Sequence, residues 1–128
     1  MTYQDKIYSY KPLKDKIERS YNQNSICLTG NTTARIIRKG EIAIRFHTTD
    51  IILIREDDTY QLFTGGWMTR TTTSRLNGFS PAHIKQKDYK LYLICDHGEL
   101  IFREGMIVDR YGNLINTILP QNINTLKT

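Results

Sequence analysis

The stretch EIAIRF at residues 41–46 alternates apolar and polar side chains, and this alternation decides the fold class. Successive side chains of a β-strand point to opposite faces, so Ile42, Ile44 and Phe46 share one face. The run IILI at residues 51–54 is apolar throughout, which predicts a central strand covered on both faces. The two runs together predict that a β-sheet forms the centre of the fold.

Further segments of strand length lie on both sides of this stretch and are rich in Ile, Thr, Tyr and Phe, which suit a pleated, half-buried surface. Two-residue breaks such as Lys39-Gly40 are short enough for tight antiparallel hairpins. The pattern predicts a mainly antiparallel sheet of about six to eight strands between residues 25 and 119. The predicted strands are 25–29, 33–38, 41–47, 51–56, 59–63, 83–87, 90–95 and 99–103, with short additions at 107–108 and 114–119.

A short amphipathic helix is predicted near the N-terminus, at about residues 11–23. Leu13, Ile17 and Tyr21 recur every four residues and therefore share one face of a helix. Such an apolar face has two equally good uses: it can lie across the sheet or contact a partner subunit.

A second, shorter helix is predicted after residue 70. Thr71 or Thr72 can cap its start and Gly78 can end it. With the strands, these helices predict an α+β fold in a single domain over residues 1–128, with a polar tail at 121–128 that frays.

The length and composition exclude several classes of protein. The chain has 128 residues, 39% of them hydrophobic and 24% charged, which excludes disordered and low-complexity chains. No apolar run approaches the roughly 18 residues of a membrane span, and the first ten residues lack the apolar core of a signal peptide. We therefore expect a soluble protein with no membrane partner.

The net charge of +5 is unevenly distributed. Between residues 59 and 95 there are five basic residues and one acidic residue, Asp88. A basic surface attracts phosphate-bearing ligands, either polynucleotides or small nucleotides, whereas a solvated face with scattered charges is the alternative interpretation. The basic residues of this segment are Arg70, Arg75, Lys85, Lys87 and Lys90.

The sequence lacks the motifs of the common enzyme classes: there is no P-loop, no Rossmann fingerprint, no zincin motif and no hydrolase elbow. The histidines show no metal-ligand spacing, and Cys27 and Cys95 are predicted to be small buried side chains in a reducing compartment. His47 and Asp50 are three residues apart, so in a regular strand their side chains point to opposite faces. They form either an acid/base pair, which needs a bend in the chain, or ordinary turn groups between two strands. We expect no catalytic residue, no metal and no cofactor.

The most unusual segment is GGWMTRTTTSRLNGF at residues 65–79. Glycines allow backbone to approach a ligand, threonine hydroxyls can donate to phosphate oxygens, and arginines supply charged forks. Asn77 can read an adenine edge or form a turn. Trp67 and Phe79 offer flat faces for a base, although a core position is the alternative for Trp67.

Several motifs resemble those of a small protein family that is widespread in bacteriophage genomes. The resemblance covers about residues 30–108. Within this group, the chain is most similar to the Thoeris anti-defence sponge, which captures cyclic ADP-ribose isomers generated by TIR enzymes; some members also bind cyclic oligonucleotides. The motifs that carry the resemblance are Gly30-Asn31-Thr32-Thr33, Phe46-His47-Thr48-Thr49-Asp50, Gly65-Gly66-Trp67, Thr69, Thr71-Thr72, Arg75, Leu76-Asn77, Phe79-Ser80-Pro81 and Gly105-Met106.

The resemblance implies a non-catalytic, homo-oligomeric binder of a small cyclic nucleotide, acting in the cytoplasm of the infected bacterial host. It implies that Phe79 stacks on adenine and that Asn77 or Asp88 is its polar partner. The hypothesis adds phosphate contacts from Arg70, Arg75, Arg55 and Arg110, with Thr71 and Thr72 as hydrogen-bond donors.

Two other functions remain open at this point. A nucleic-acid-binding phage accessory protein would use the same basic residues along many phosphates, with a steep dependence on salt. A direct protein inhibitor of a host factor would instead need an exposed apolar patch. A pocket shared between subunits would favour tight capture, so we expect a dimer or a larger assembly.

Overall fold

The computed structural model describes residues 8–21, 24–96 and 98–115. These residues form two helices and nine strands, which confirms the α+β class with a mainly antiparallel sheet. The elements are α1 (Tyr10–Glu18), β1 (Ser25–Thr29), β2 (Thr32–Arg38), β3 (Glu41–Phe46), β4 (Thr49–Arg55), β5 (Tyr60–Leu62), α2 (Arg70–Phe79), β6 (Ile84–Lys87), β7 (Lys90–Cys95), β8 (Gly98–Ile101) and β9 (Met106–Val108).

The described strands divide into two antiparallel sheets. The larger sheet has the order β1-β2-β3-β4-β5-β9, and the smaller one has the order β6-β7-β8. The first five strands form a meander because short turns join consecutive antiparallel strands. After the small sheet the chain returns to the large one, where β9 pairs with β5.

The alternating side chains of β3 place Ile42 and Ile44 in the core, as the sequence predicts. Ile44 pairs with Ile52, but Arg45 pairs with Asp50, so Ile51 is an extra residue in β4 and is buried beside Ile52. The coverage of both faces predicted for residues 51–54 is incomplete because Leu53, on the opposite face, is only half-buried.

Helix α1 packs on its own sheet, against β2 and β3. Leu13 and Ile17 are buried in the core, so this face is not available to a partner subunit. The helix ends at Glu18 rather than continuing to residue 23. The Ser20 hydroxyl donates to the carbonyl of Ile17 at 2.5 Å, and Tyr21, which was predicted to share the apolar face, is fully exposed.

Helix α2 begins and ends at residues other than those predicted. The cap is Thr69, whose hydroxyl accepts a hydrogen bond from the Thr72 backbone N–H at 3.1 Å. Gly78 does not end the helix, which continues to Phe79. The helix stops at Ser80, which is extended because Pro81 disfavours helical conformation in the residue before it.

Both cysteines carry free thiols. The prediction that both are buried is wrong for Cys27, which is exposed on the edge strand β1, and Cys95 is half-buried. In the described part of the chain, no helix is long and apolar enough to cross a membrane. His97 and the predicted polar tail lie outside the described residues, as does most of the strand predicted at 114–119; Leu114 forms a single bridge to Val108.

Candidate functional site

Helix α2 contributes to two separate hollows on the protein surface. The larger, of about 810 Å³, lies between α2 and the β6–β7 hairpin, and we call it the hairpin cleft. The smaller, of about 420 Å³, lies at the start of α2, and we call it the threonine pocket. The hairpin cleft is lined by Arg70, Thr73, Ser74 and Asn77 of the helix and by Gln86, Lys87, Asp88 and Tyr89 of the hairpin.

The two walls of the hairpin cleft are joined by Asn77. Its side-chain Nδ2 donates to the Ile84 carbonyl at 2.9 Å, and its Oδ1 accepts from the Ile84 backbone N–H at 2.6 Å. Helix α2 therefore has a fixed position relative to β6. The amide is engaged by backbone and is not free to read a base edge, so the role predicted for Asn77 becomes a structural one.

The hairpin cleft is bounded on one side by a strained turn. Asp88 and Tyr89 both adopt left-handed backbone conformations, with φ of 52° and 66°. Such turns usually contain Asn and Gly because bulkier residues are unfavourable there. Tyr89 nevertheless occupies the second position, and its side chain is 93% exposed. The turn thus presents an aromatic face to solvent beside the cleft, at a cost in backbone strain.

Two cations, Arg70 and Lys87, and one carboxylate line the hairpin cleft. Within the described residues, the Arg70 side chain makes no hydrogen bond or ion pair with a protein group. Lys87 is 2.7 Å from Glu99 and lies over the Tyr92 ring, 5.1 Å from its centroid. The hydrogen bond to Glu99 raises the pKa of Lys87, so its ammonium group stays charged. Asp88 is the acidic group that lines the cleft.

The threonine pocket has a different chemistry. Phe46 and Ile51 contribute apolar surface, and Trp67, with 63% of its surface exposed, lies at the same pocket. Hydroxyl groups make up most of the remaining lining. The polar residues of the pocket are His47, Thr48, Thr49, Thr64, Thr69, Thr71 and Thr72.

The structure brings together only part of the predicted site. Arg70, Asn77 and Asp88 line the hairpin cleft, whereas Thr71 and Thr72 line the threonine pocket on the other side of the helix. Of the two threonines, Thr71 is exposed and Thr72 is buried, with its hydroxyl 3.0 Å from that of Thr69.

Phe79 is the main correction to the predicted site. Its ring is 2% exposed and belongs to the hydrophobic core, where it stacks with Tyr8 at 6.4 Å between centroids. A ligand base therefore has no access to either face of this ring. Leu76, one helical turn earlier, is also buried, so the two side chains share the core-facing side of α2.

Three of the predicted arginines line neither hollow. The Arg75 Nε donates to the Thr32 hydroxyl at 2.9 Å, and its guanidinium lies 5.5 Å from the centroid of the Phe46 ring. Arg55, on the large sheet, donates to Glu41 at 3.0 Å and to Gln61 at 2.7 Å. Arg110 lies over the ring of its neighbour Tyr111. Each of these three cations therefore contacts other groups of the protein, and none of them lines the hairpin cleft with Arg70.

Sequence reasoning did not identify Tyr89 as a site residue, and it left Trp67 open between a ligand face and a core position. Tyr89 falls in the two-residue break between the strands predicted at 83–87 and 90–95, where a bulky residue is unusual because such turns favour Asn and Gly. Trp67 had a core position as its alternative, and the structure instead places it at the surface. Both residues supply the flat faces that were expected from Phe79.

The acid/base pair considered for His47 and Asp50 is not formed. Asp50 accepts hydrogen bonds from Arg35 at 2.7 Å and from Arg45 at 3.0 Å, and the His47 ring packs on Phe46. Burial alone would raise the pKa of Asp50, but the hydrogen bonds from the two arginines outweigh it and lower the pKa. Among the described residues, no group of His, Cys, Asp and Glu side chains could hold a metal ion.

The chain matches a known protein family. A family model described as Kyanoviridae Gp96 protein matches residues 12–109, more than half of the chain. The match includes both helices almost entirely and all nine described strands. No significant match was found among curated proteins or among solved structures.

Proposed function

Since the chain belongs to the Kyanoviridae Gp96 family of phage proteins, we propose that it is an anti-defence protein that captures cyclic nucleotide immune signals without cleaving them. The expected ligands are cyclic ADP-ribose isomers, with cyclic oligonucleotides as a second class. The motif resemblance to the Thoeris anti-defence sponge suggests this ligand class, and the geometry of the hairpin cleft supports a small anionic ligand.

One observation carries the proposal: the hairpin cleft combines cations with an exposed aromatic ring. Arg70 and Lys87 can neutralise phosphate oxygens, and Tyr89 can stack on a purine. The volume of about 810 Å³ falls within the range of roughly 300–1,000 Å³ that is typical of ligand sites. Asp88 would repel phosphate, so its carboxylate is assigned to ribose hydroxyls or to a base edge.

Capture requires binding but no chemistry. Cations, hydrogen-bonding groups and a flat ring suffice to hold a cyclic dinucleotide or a cyclic ADP-ribose isomer, whereas cleavage would need a positioned nucleophile or base. The proposed mechanism is therefore sequestration: the bound signal is withheld from the host effector and is released intact when the protein unfolds.

A second copy of the chain would complete the site. To compete with an effector, a sponge needs nanomolar affinity, which corresponds to about −12 kcal/mol. Such affinity favours a ligand that is removed from water on most sides, and Tyr89, at 93% exposure, leaves one side of the cleft in contact with solvent. We therefore propose a homo-oligomer in which a partner subunit covers Tyr89 and the bound ligand.

The test is a capture-and-release experiment. The protein is incubated with cyclic ADP-ribose isomers, separated from free ligand, heated until it denatures, and the released compound is identified by mass spectrometry. Intact ligand in stoichiometric amount is the expected result. Cleaved product would contradict sequestration, and absence of binding would contradict the ligand class.

Variants of the hairpin cleft locate the site. Arg70→Ala and Tyr89→Ala should each weaken capture at least tenfold, because a charge-assisted contact or a stacking face is lost. Lys85→Ala is the matched control, since it removes an exposed cation of the same hairpin that does not line the cleft. Equal affinity in all three variants would place the ligand elsewhere.

The exposed lysines of the hairpin are the specific observation that favours nucleic acid as the second candidate ligand. Lys85, Lys87 and Lys90 are all exposed on the hairpin, on the two strands that the turn at Tyr89 connects. A protein that tracks many phosphates loses affinity steeply as salt rises, whereas a ligand with two phosphates gives a shallow dependence. A salt titration with single- and double-stranded DNA separates the two functions.

A further inference from the structure

We propose that the threonine pocket is a second binding site, which takes an uncharged, planar heteroaromatic ring such as a nucleobase by stacking it on Trp67. Within the described ranges, the pocket and the hairpin cleft have no lining residue in common, so this inference does not depend on the function proposed above.

The lining selects a ligand without charge. Among the described residues, no Asp, Glu, Lys or Arg lines the pocket, and His47 is the titratable group on its wall. A charged ligand would lose its hydration there without gaining a counter-ion, which is unfavourable. A neutral ring, in contrast, would exchange water for the apolar surfaces of Trp67 and Phe46.

Trp67 supplies the stacking face. Trp is usually well covered, yet this side chain is 63% exposed at the pocket. The turn before it fixes its position: the Trp67 backbone N–H donates to the Thr64 carbonyl at 3.0 Å. Gly65 is required in this turn because a Cβ there would lie 2.6 Å from Thr49 Cγ2.

The hydroxyl groups divide into two sets. Those of Thr64 and Thr69 are engaged, the first by Glu104 and the second by the backbone of α2. In contrast, the side chains of Thr48, Thr49 and Thr71 make no hydrogen bond to the described part of the protein. A hydroxyl both donates and accepts, so these three groups can match the mixed donor and acceptor edge of a nucleobase.

The volume agrees with this class of ligand. The pocket, of about 420 Å³, lies in the lower part of the range of roughly 300–1,000 Å³ seen for ligand sites, which suits a single nucleoside rather than a larger compound. The start of α2 adds the partial positive charge of a helix N-terminus, which favours ring acceptors such as a purine nitrogen.

The test uses Trp67 as its own reporter, since it is the only tryptophan in the chain. The full-length protein is titrated with adenosine, which carries no phosphate, and Trp fluorescence is recorded. We expect saturable quenching with one site per chain. An absence of saturable quenching up to millimolar adenosine, or equal quenching by ribose alone, would overturn the proposal.

Three variants make the test specific. By calorimetry, Trp67→Ala should bind adenosine about 5- to 150-fold more weakly, the effect of losing one stacking face, while Trp67→Phe should retain most of the affinity. Met68→Ala is the matched control: Met68 is the exposed neighbour of Trp67 but does not line the pocket. Unchanged affinity in Trp67→Ala would contradict the proposal.

A variant of the hairpin cleft separates this inference from the proposed function. Tyr89→Ala should leave adenosine binding unchanged, because Tyr89 lies in the other hollow. If Tyr89→Ala abolished the response, adenosine would be bound in the hairpin cleft and the inference would be wrong. If adenosine bound while cyclic nucleotides did not, the inference would stand and the proposed function would fail.

Discussion

Asn77 and Ile84 are joined by two hydrogen bonds that connect the side-chain amide of a helical residue to both backbone polar groups of a strand residue. This pair fixes α2 against the small sheet. The hairpin cleft lies beside it, so the distance between Arg70 on the helix and Tyr89 on the hairpin depends on a contact that touches no ligand.

Asn77→Ala should therefore destabilise the protein by about 1–3 kcal/mol, because the N–H and C=O of Ile84 lose their partner in a partly buried place. Thermal unfolding measures this loss, and Ser74→Ala provides the control at an exposed position of the same helix. An Asn77→Ala protein as stable as the control would show that the pair does not hold the two walls together.

Phe79→Ala should lower the free energy of unfolding by about 3–5 kcal/mol, since the ring fills the core and stacks with Tyr8. Tyr89→Ala removes an aromatic ring of similar size from an exposed turn and should change stability by less than about 0.5 kcal/mol. Denaturant titration of both variants checks the contrast. Equal stability of the two would contradict a core position for Phe79.

Gly112→Ala should be strongly destabilising because the new Cβ would lie 2.5 Å from the Pro81 carbonyl oxygen, in a backbone with φ of +86°. Gly66→Ala has nearly the same φ, +88°, with no atom within 4 Å of the Cβ, so it should cost only the conformational penalty of about 1–2 kcal/mol. The difference between their melting temperatures measures the steric contact alone. If the two variants melted together, the loop after β9 would not pack on Pro81 as described.

Asp50→Asn should destabilise the protein by about 1 kcal/mol at neutral pH, a modest value because the carboxylate and its two arginines remain partly exposed. The pKa of Asp50 is lowered in the folded state, so its contribution is present above its ordinary value of about 3.9 and is lost as the pH falls further. The gap between wild type and variant should close in acid. A gap that stayed constant between neutral and acid pH would contradict the lowered pKa of Asp50.

Tyr60→Phe should lower stability by about 1 kcal/mol at neutral pH, because the Tyr60 hydroxyl donates to the Tyr8 carbonyl at 2.6 Å. Burial, followed by the negative charge of Asp58, raises the pKa of Tyr60 to about 12. Its contribution is therefore complete below pH 10 and is lost as the pH rises through 12. Denaturant titrations between pH 7 and 12 should show the two proteins converging; a constant difference would contradict the raised pKa.

The sequence predicts the local elements well but not their long-range pairing. The strands at residues 25–29 and 90–95 form with the predicted boundaries, because their patterns and flanking turns are local. The division into two sheets and the pairing of β5 with β9 could not be predicted, since alternation within a strand does not identify a distant partner.

The sequence identified several residues of the candidate site but not their arrangement in space. Arg70, Asn77 and Asp88 do meet in one hollow, but aromatic residues were assigned by type, without the burial that separates Phe79 from Tyr89. Leu76 and Phe79 are three residues apart and therefore share one face of a helix. This spacing indicates a core-facing pair, whereas the ligand hypothesis treated Phe79 as a stacking platform. Which side chains of α2 line which hollow depends on the elements packed around the helix, and the sequence does not show how those elements are arranged.

The return of β9 to β5 has a consequence for how this family can diversify. The chain leaves the large sheet at Leu62 and re-enters it beside the same residue, where the Gly105 backbone N–H donates to the Leu62 carbonyl at 2.8 Å. The segment between Leu62 and Gly105 carries α2 and the small sheet. It therefore forms an insertion that leaves the five strands β1–β5 and returns to them at the same residue. Changes at the tip of the β6–β7 hairpin would break none of the hydrogen bonds between β1 and β5, so the hairpin cleft can vary within the family while the large sheet stays the same.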